Sequence, residues 1–220
     1  MDPTISRMRT TSPARRGARF DWGLFFNESL KSFSTTASVV PSSPFLARAM
    51  LRSIDFRHAT AIVEVGVGTG AMTHELLHRM RPDARLYAID INERFIDYLR
   101  RNIDDDRLVP IAGSAEHLGA MLSEHGVRHV DAIVSSLGLS LMSQTQREGI
   151  LREMKRRLRP GGVFTQFQYL HARHAPRALH FFSLEAFSEE QFLRQYFRRV
   201  SLHTVLRNFP PATVYTCWSR

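Results

Sequence analysis

The sequence is poor in cysteine, with Cys217 the only one among 220 residues. A single thiol excludes an intrachain disulfide framework and a cysteine zinc site. The histidines show no spacing typical of metal ligands. We therefore expect no resident metal ion, and we expect the protein to work in a reducing compartment, the cytoplasm.

Long apolar runs are also lacking. No stretch of about 18 apolar residues occurs, which argues against a transmembrane helix. The arginine-rich N-terminus has no apolar core before a cleavage site, so we expect no secretory signal. Hydrophobic residues still make up 43% of the 220 residues, enough for one domain with a complete core.

Acidic residues are outnumbered by basic ones. The chain has 30 Lys and Arg against 21 Asp and Glu, a formal net charge of +9. Such a surplus favours polyanionic partners. Nucleic acid and the anionic face of a membrane both fit this description, and charge alone does not separate them.

The N-terminal region divides into three parts. Residues 1–19 are polar and basic, which predicts a disordered arm. Residues 20–34 have the spacing of an amphipathic helix. Its apolar face would contain Trp22, Phe25, Phe26, Leu30 and Phe33. A linker follows, and Ser43 and Pro44 predict the start of a helix near 44–54. These 20–58 elements would precede a domain at 59–220.

From residue 60, apolar runs alternate with segments of helical periodicity. This alternation predicts an α/β domain with a parallel sheet. The predicted strands lie at 59–66, 85–90, 107–113, 130–138 and 159–170, and the predicted helices at 71–80, 92–103, 115–126, 144–158 and 188–199. Only Pro210 and Pro211 separate the last two predicted strands, 200–209 and 212–219, so these should form an antiparallel hairpin.

Three glycines mark the strongest candidate binding loop. Gly66, Gly68 and Gly70 close the first strand and open a helix, where they allow a tight turn and a close approach to a ligand. The spacing is GxGxG, with Glu64 two residues before it. This pattern resembles motif I of class I S-adenosylmethionine-dependent methyltransferases, in which the acidic residue approaches the methionine end of the cofactor. A degenerate dinucleotide site is the alternative.

Further candidate cofactor contacts follow the next strands. Asp90 ends the second strand and could accept hydrogen bonds from both ribose hydroxyls, or instead cap the next helix. Ser114 follows the third strand, where it could meet the adenine or act as an N-cap. The remaining expected cofactor contacts are Thr69, Ile91, Ala115 and Ser135.

One methyltransferase motif is absent. Residues 135–141 end the fourth strand, where amino-adenine methyltransferases carry an (N/D)-(P/L)-P-(Y/F/W) sequence that holds the amine. This chain has no such sequence there, and its only Asn-x-Pro-Pro, residues 208–211, falls in the final turn. The absence lowers the case for a nucleic-acid substrate.

Five segments resemble bacterial phospholipid N-methyltransferases that act on phosphatidylethanolamine. The resemblance runs from about residue 23 to 217, and its carriers are ASVVPSSPFLARAML (37–51), VEVGVGTGAMT (63–73), VSSLGLSL (134–141), RPGGVFTQFQY (159–169) and NFPPATVY (208–215). The first, fourth and fifth are the specific ones. The family often reads Gly-Leu-Pro-Leu after the fourth strand, where this chain has Ser140 in place of the proline.

The resemblance implies a three-layer, Rossmann-like fold with a seven-stranded, mostly parallel sheet and an antiparallel last strand. It implies S-adenosylmethionine as cofactor and methylation of phosphatidylethanolamine toward phosphatidylcholine. It also implies that the 20–34 helix docks on the membrane, although packing on its own domain is the alternative. We expect a monomer attached peripherally to the inner face of the cell membrane, with phospholipid as partner.

The implied reaction needs an amine that has lost its proton. Tyr169 is the candidate for aromatic contact or proton handling, Gln166 for orienting the headgroup, and His171 for an alternative base. Arg173 and Arg177 are candidates for the headgroup phosphate. Sheet packing or solvent exposure is the alternative for each of them.

Two other functions stay open at this stage. A methyltransferase of ribosomal RNA or another nucleic acid would share the fold and explain the charge, but it would not need the apolar N-terminal face. A non-catalytic peripheral membrane protein could retain the cofactor pocket, although the complete glycine motif and Asp90 argue against decay of that pocket.

Overall fold

The computed structural model describes residues 43–170 and 187–219. Several predictions lie outside these ranges. They are the arm at 1–19, the amphipathic helix at 20–34 with Trp22, Phe25, Phe26, Leu30 and Phe33, the candidate base His171, and the phosphate candidates Arg173 and Arg177.

The described residues form one seven-stranded sheet with helices on both faces. The strands are β1 (Ala61–Val65), β2 (Arg85–Asp90), β3 (Leu108–Ala112), β4 (Val130–Ser135), β5 (Leu158–Tyr169), β6 (Arg199–Val205) and β7 (Ala212–Trp218). The helices in the described ranges are α1 (Pro44–Leu51), α2 (Ala71–Arg79), α3 (Glu93–Asn102), α4 (Leu118–Glu124), α5 (Gln144–Arg157) and α6 (Glu189–Tyr196).

The strand order is β3-β2-β1-β4-β5-β7-β6. The first five strands of the order pair in parallel, and β7 is antiparallel to both β5 and β6. The predicted fold class, a mostly parallel sheet with an antiparallel last strand, is confirmed. Strands β1 to β6 therefore all end at the same edge of the sheet, which we call the carboxyl edge.

Two apolar layers hold the helices on the sheet. On one face, Val63 and Ile133 pack with residues of α4, α5 and α6. On the other face, Ile62 packs with Leu46 and Met50 of α1 and with residues of α2. Each central strand therefore buries both of its faces, which explains its nearly continuous apolar sequence.

Side-chain caps fix where several helices begin. The hydroxyl of Ser43 accepts a hydrogen bond from the Leu46 N–H at 3.3 Å, so Pro44 occupies the first turn as predicted. Ser143 caps α5 in a reciprocal arrangement with the Gln146 side chain.

Several boundaries differ from prediction by a few residues. α1 ends at Leu51 rather than near residue 54, and the predicted helix 115–126 begins as a 3-10 turn, Ala115–His117, before α4. β6 ends at Val205, so the predicted strand 200–209 stops four residues early. Within the described ranges, no helix is long and apolar enough to cross a membrane, and no His, Cys, Asp or Glu cluster could hold a metal ion.

Candidate functional site

The glycine loop between β1 and α2 lies at the carboxyl edge. Gly66 has a φ of +80°, and a Cβ there would meet the carbonyl carbon of Ser136 at 3.4 Å. Gly68 has a φ of +51°, and a Cβ there would meet nothing within 4 Å. The loop therefore lies against the residue that follows β4 at Gly66 and is open at Gly68, so a ligand can approach its backbone closely.

The carboxylate of Glu64 is fully buried beneath this loop. Its Oε2 accepts a hydrogen bond of 2.7 Å from the hydroxyl of Thr73, while Oε1 has no hydrogen-bond partner among the described residues. Burial, together with the negative charge of Asp90, raises the pKa of Glu64 to about 8. A cationic group of a ligand would supply the partner that Oε1 lacks.

Asp90 ends β2 and ties the glycine loop to the next strand. Its Oδ2 accepts from the Gly68 N–H at 3.3 Å, and its Oδ1 accepts from the Asn92 N–H at 2.8 Å. Burial raises the pKa of this carboxyl, against the opposing effect of the backbone N–H donors. The N-cap of α3 is Asn92, whose side chain accepts from Arg94 N–H, so Asp90 is not the cap.

Three more of the predicted cofactor contacts follow β2 and β3, which are neighbours in the sheet. Ile91 directly follows Asp90 and leaves 58% of its surface exposed, which provides an apolar face beside the carboxylate. The Ser114 hydroxyl accepts from the Glu116 N–H at 3.3 Å, and Ala115 is buried behind it. Ser114 therefore acts as an N-cap here, and its hydroxyl hydrogen is not used in that bond.

The chain after β4 is fixed from both sides. The Ser136 N–H donates to the Val65 carbonyl at 2.8 Å, and the amide nitrogen of Gln166 donates to the Leu137 carbonyl at 2.6 Å. Ser135 is fully buried, and its hydroxyl accepts from the Leu137 N–H at 3.4 Å. The substrate side of the site therefore has a firmly held backbone.

The two described candidates for catalysis point to opposite faces of β5. Gln166 is fully buried, with its Nε2 shared between the carbonyls of Leu137 and Phe167 and its Oε1 without a partner among the described residues. Tyr169 lies three residues later and meets the Phe167 ring edge-on, with centroids 5.2 Å apart. Burial raises the pKa of Tyr169.

The structure thus brings Glu64, the glycine loop and Asp90 into one site, with Ser135 buried at the end of the next strand. It does not place Gln166 and Tyr169 on one face, and the roles predicted for them stay predictions. Sequence reasoning missed Thr73, which holds the Glu64 carboxylate. Its signal was a polar residue on the buried face of α2, facing an acidic residue that is itself inside a buried strand.

Comparison with known proteins agrees with this geometry. A family model described as a methyltransferase domain matches residues 62–162. An ornithine lipid N-methyltransferase from Singulisphaera acidiphila is 28% identical over 90% of this chain and 95% of its own length. A malonyl-(acyl-carrier protein) O-methyltransferase from Priestia megaterium is 28% identical over 72% of this chain and 58% of its own length, so the chain spans little more than half of that relative.

A solved structure shows the same fold. The N-methyltransferase NodS from Bradyrhizobium japonicum, in complex with S-adenosyl-L-homocysteine, aligns over 80% of this chain and 88% of its own with a TM-score of 0.60. At 17% sequence identity, this likeness concerns the fold alone.

The residues fit S-adenosylmethionine as cofactor. The unpartnered Oε1 of Glu64 suits its ammonium group, the open backbone at Gly68 allows a close approach, and Asp90 is placed for the ribose hydroxyls. The match of the methyltransferase domain covers all three of these positions. Residues 62–162 are a methyltransferase domain, and its sheet and cofactor loop are of the class I S-adenosylmethionine-dependent type.

Proposed function

We propose that the protein methylates the amine of a membrane lipid headgroup, with phosphatidylethanolamine as substrate and phosphatidylcholine as the final product. The observation that carries the proposal is the similarity to an ornithine lipid N-methyltransferase, which extends over 90% of this chain and 95% of that one. It therefore includes segments on both sides of the domain match at 62–162.

The rim of the site suits a substrate with apolar chains. Ile91 follows β2 and Leu141 lies six residues after β4, and they leave 58% and 57% of their surfaces exposed. Both are at the carboxyl edge, where the cofactor site opens. A lipid could bring its headgroup to the cofactor there while its apolar part rests against these side chains.

Methyl transfer requires a headgroup amine that has lost its proton. It also requires a site that accommodates the methylated ammonium product. S-adenosylmethionine supplies an electrophilic methyl group when it is bound. Tyr169 stays protonated at neutral pH because burial raises its pKa, so it can offer an aromatic face and a hydroxyl donor but no resident base. Oε1 of Gln166 is a buried acceptor that could orient an amine N–H.

The location that we propose is the inner surface of the cell membrane, with the protein attached peripherally as a monomer. The net charge of +9 supports attraction to anionic lipid. The apolar residues predicted at 20–34 would add to this attachment. In a nucleic-acid methyltransferase, the same charge would face RNA.

An ornithine-bearing lipid is the second candidate substrate, favoured by the substrate named for the relative. The test is product analysis with methyl-labelled S-adenosylmethionine. One tube receives vesicles of phosphatidylethanolamine and phosphatidylglycerol, another receives vesicles of ornithine lipid and phosphatidylglycerol, and a third receives total RNA. Asp90→Ala is the cofactor-site variant, and Asp97→Ala, an exposed change on α3, is its matched control.

Each result has a distinct meaning. Label in mono-, di- or trimethylated phosphatidylethanolamine, lost in Asp90→Ala and kept in Asp97→Ala, supports the proposal. Label in ornithine lipid alone moves the substrate to the second candidate. Label in RNA alone overturns the lipid function. Label in none of them, with cofactor still bound, favours the non-catalytic membrane protein.

A further inference from the structure

Exposed apolar side chains gather at one edge of the molecule. Six large hydrophobic residues are exposed among the described residues, and five of them lie beside the carboxyl ends of strands. The five are Phe45, Ile91, Leu141, Leu206 and Phe209. The sixth, Tyr98, lies about halfway along α3, on the other side of the sheet order from β6.

The two most exposed of these side chains share one short turn. Leu206 leaves 73% and Phe209 79% of their surfaces exposed, and both belong to the six residues, 206–211, that join β6 to β7. Phe45, at the start of α1, leaves 43% exposed. We call Phe45, Leu206 and Phe209 the apolar patch. Surface leucines and phenylalanines usually occur singly, so this grouping calls for a partner.

The turn is held firmly rather than left loose. Asn208 is buried between the two exposed residues, and its side-chain oxygen accepts from the Ser43 N–H at 3.2 Å. Its amide nitrogen donates to the Pro210 carbonyl at 2.7 Å. This one side chain therefore joins the turn to the start of α1 and presents Leu206 and Phe209 outward.

The patch is continuous with the proposed substrate side of the site. Ala212 pairs with both Tyr169 and Val205, so the three residues form one row across β5, β7 and β6. The turn begins directly after this row, and the Leu170 N–H donates to the Pro211 carbonyl at 2.8 Å. Two strand spacings separate β6 from Tyr169, a distance of roughly 10 Å.

The two described segments that carry the patch have charges of one sign only. Arg207 lies between the two exposed residues of the turn, with its guanidinium carbon 5.4 Å from the centre of the Phe45 ring. Arg48 is exposed one helical turn after Phe45. Residues 43–54 and 199–211 contain no Asp or Glu, and within the described ranges neither arginine forms an ion pair.

We propose that the apolar patch inserts into an anionic lipid bilayer, so that the β6–β7 turn sets the carboxyl edge of the sheet against the membrane surface. The side chains of the apolar patch could enter the acyl region of such a membrane, while the arginines beside them contact the anionic headgroups. This inference deepens the proposed lipid function, on which it rests. It assigns membrane contact to a folded turn, separately from the segment at 20–34.

The first test measures binding of the full chain to vesicles that mix phosphatidylglycerol and phosphatidylcholine. We expect Leu206→Ser with Phe209→Ser to lower the partition coefficient about a hundredfold, roughly tenfold for each side chain that no longer enters the bilayer. Tyr98→Ser is the matched control and should leave the coefficient within about twofold, since Tyr98 lies on α3, between β2 and β3 and away from the β6–β7 turn. A double variant that binds as tightly as this control would overturn the proposal.

The second test does not depend on a loss of binding. Leu206→Cys and Tyr98→Cys are each labelled with an environment-sensitive fluorophore, and Cys217 does not compete because it is buried and burial raises its pKa. We expect the label at position 206 to shift to the blue with phosphatidylglycerol vesicles, and the label at position 98 to stay unchanged. An unchanged label at 206 on vesicle-bound protein would refute insertion.

A third test removes a positive charge beside the patch and measures vesicle binding again. Arg207→Ser should lower binding to phosphatidylglycerol vesicles roughly fivefold and leave the weaker binding to pure phosphatidylcholine vesicles unchanged. Equal losses on both vesicles would contradict the role of anionic lipid. If wild-type protein methylates no lipid but the label at 206 still shifts, the proposed function fails and the insertion stands. If lipid is methylated and the label does not shift, the insertion fails and the proposed function stands.

Discussion

The hydroxyl of Thr73 lies 2.7 Å from Oε2 of Glu64, so helix α2 holds one oxygen of a carboxylate that β1 buries beneath the glycine loop. The other oxygen has no partner within the described part of the chain. Such a carboxylate costs stability when it is ionised, because it has left water without gaining a cation. The site is therefore prepared for a positively charged ligand before that ligand arrives.

Glu64→Gln should stabilise the cofactor-free protein increasingly as pH rises above about 4.5. The pKa of Glu64 is raised from 4.5 to about 8, so between these values the unfolded chain is ionised while the folded one keeps the proton. Folding stability contributed by the proton is complete below pH 4.5 and is lost as pH rises toward 8. We expect the variant to gain about 3 kcal/mol in free energy of unfolding at pH 7, and almost nothing near pH 4.

Denaturant unfolding of both proteins across this pH range measures the difference. Glutamine retains an oxygen that can accept from Thr73, so the local hydrogen bond survives. Glu75→Gln, on the partly exposed side of the same helix, is the control for exchanging a carboxylate for an amide. A gain that does not vary with pH would contradict a raised pKa for Glu64.

Cofactor binding should release a proton below about pH 8. The ammonium group of S-adenosylmethionine favours the carboxylate form of Glu64, whereas the free protein holds it protonated. Affinity should then rise with pH, by up to about tenfold per unit, and level off once Glu64 is ionised in the free protein. Titration calorimetry in two buffers with different ionisation enthalpies counts the protons. Glu64→Gln should bind more weakly and release none.

The alternation of strands and helices and the cofactor loop could be predicted because their signals are local. Each predicted strand from β1 to β5 is an apolar run next to a helical repeat, and the positions of Gly66 and Asp90 follow from where these runs end. The Pro210-Pro211 pair between the last two strands likewise indicates a hairpin. The structure confirms these elements, with bounds that differ by a few residues.

Other features depend on contacts between distant segments. Gln166 is polar in an apolar strand, which suggests a headgroup contact, yet its amide nitrogen is used by the carbonyl of Leu137, 29 residues earlier. Leu206 extends the sequence pattern of β6, which predicts a strand, but it lies exposed in the turn. Neither the bond of Gln166 to Leu137 nor the exposure of Leu206 can be predicted from neighbouring residues in the sequence.

Asp90→Asn should weaken cofactor binding while leaving the protein folded. Oδ1 and Oδ2 both accept backbone N–H bonds, so an asparagine leaves either Gly68 or Asn92 facing an amide donor. Asparagine would also offer one acceptor fewer to the ribose. We expect a loss of about 10 to 100-fold in affinity, since each charge-assisted bond is worth roughly 1.5–3 kcal/mol. Asp97→Asn on the exposed side of α3 is the control.

Binding and unfolding measurements together separate two roles of Asp90, holding the glycine loop and binding the ribose. If Asp90→Asn lost its fold, thermal unfolding would show it before any binding measurement. A folded variant with wild-type affinity would exclude Asp90 from the ribose site.

Gln166→Met should slow the reaction more than it weakens cofactor binding. The change removes the donor that holds the Leu137 carbonyl at 2.6 Å and leaves that oxygen without the bond, at a cost of about 1–3 kcal/mol. The chain after β4 would then be less firmly placed beside the substrate. We expect kcat to fall about tenfold or more, with the dissociation constant of S-adenosylmethionine within about threefold. An unchanged kcat would limit Gln166 to packing.

Tyr169 can be tested with a pair of variants that separate its ring from its hydroxyl. Burial raises the pKa of Tyr169, so its hydroxyl is neutral at working pH. We therefore expect the aromatic ring to make the main contact with a methylated ammonium group, as a cation–π interaction. Tyr169→Phe keeps the edge-on contact with Phe167 and should keep kcat/KM within about threefold. Tyr169→Ala should lose about 10 to 100-fold, with the largest loss for the most methylated intermediate, whose charge water solvates least.

Measuring each methylation step with mono- and dimethylated lipid as substrates decides between the two roles. A steep loss in Tyr169→Phe, with a changed pH profile of kcat/KM, would assign proton handling to the hydroxyl instead. Equal activity in Tyr169→Phe and Tyr169→Ala would remove Tyr169 from the reaction, since neither its ring nor its hydroxyl could then contact the amine in the transition state.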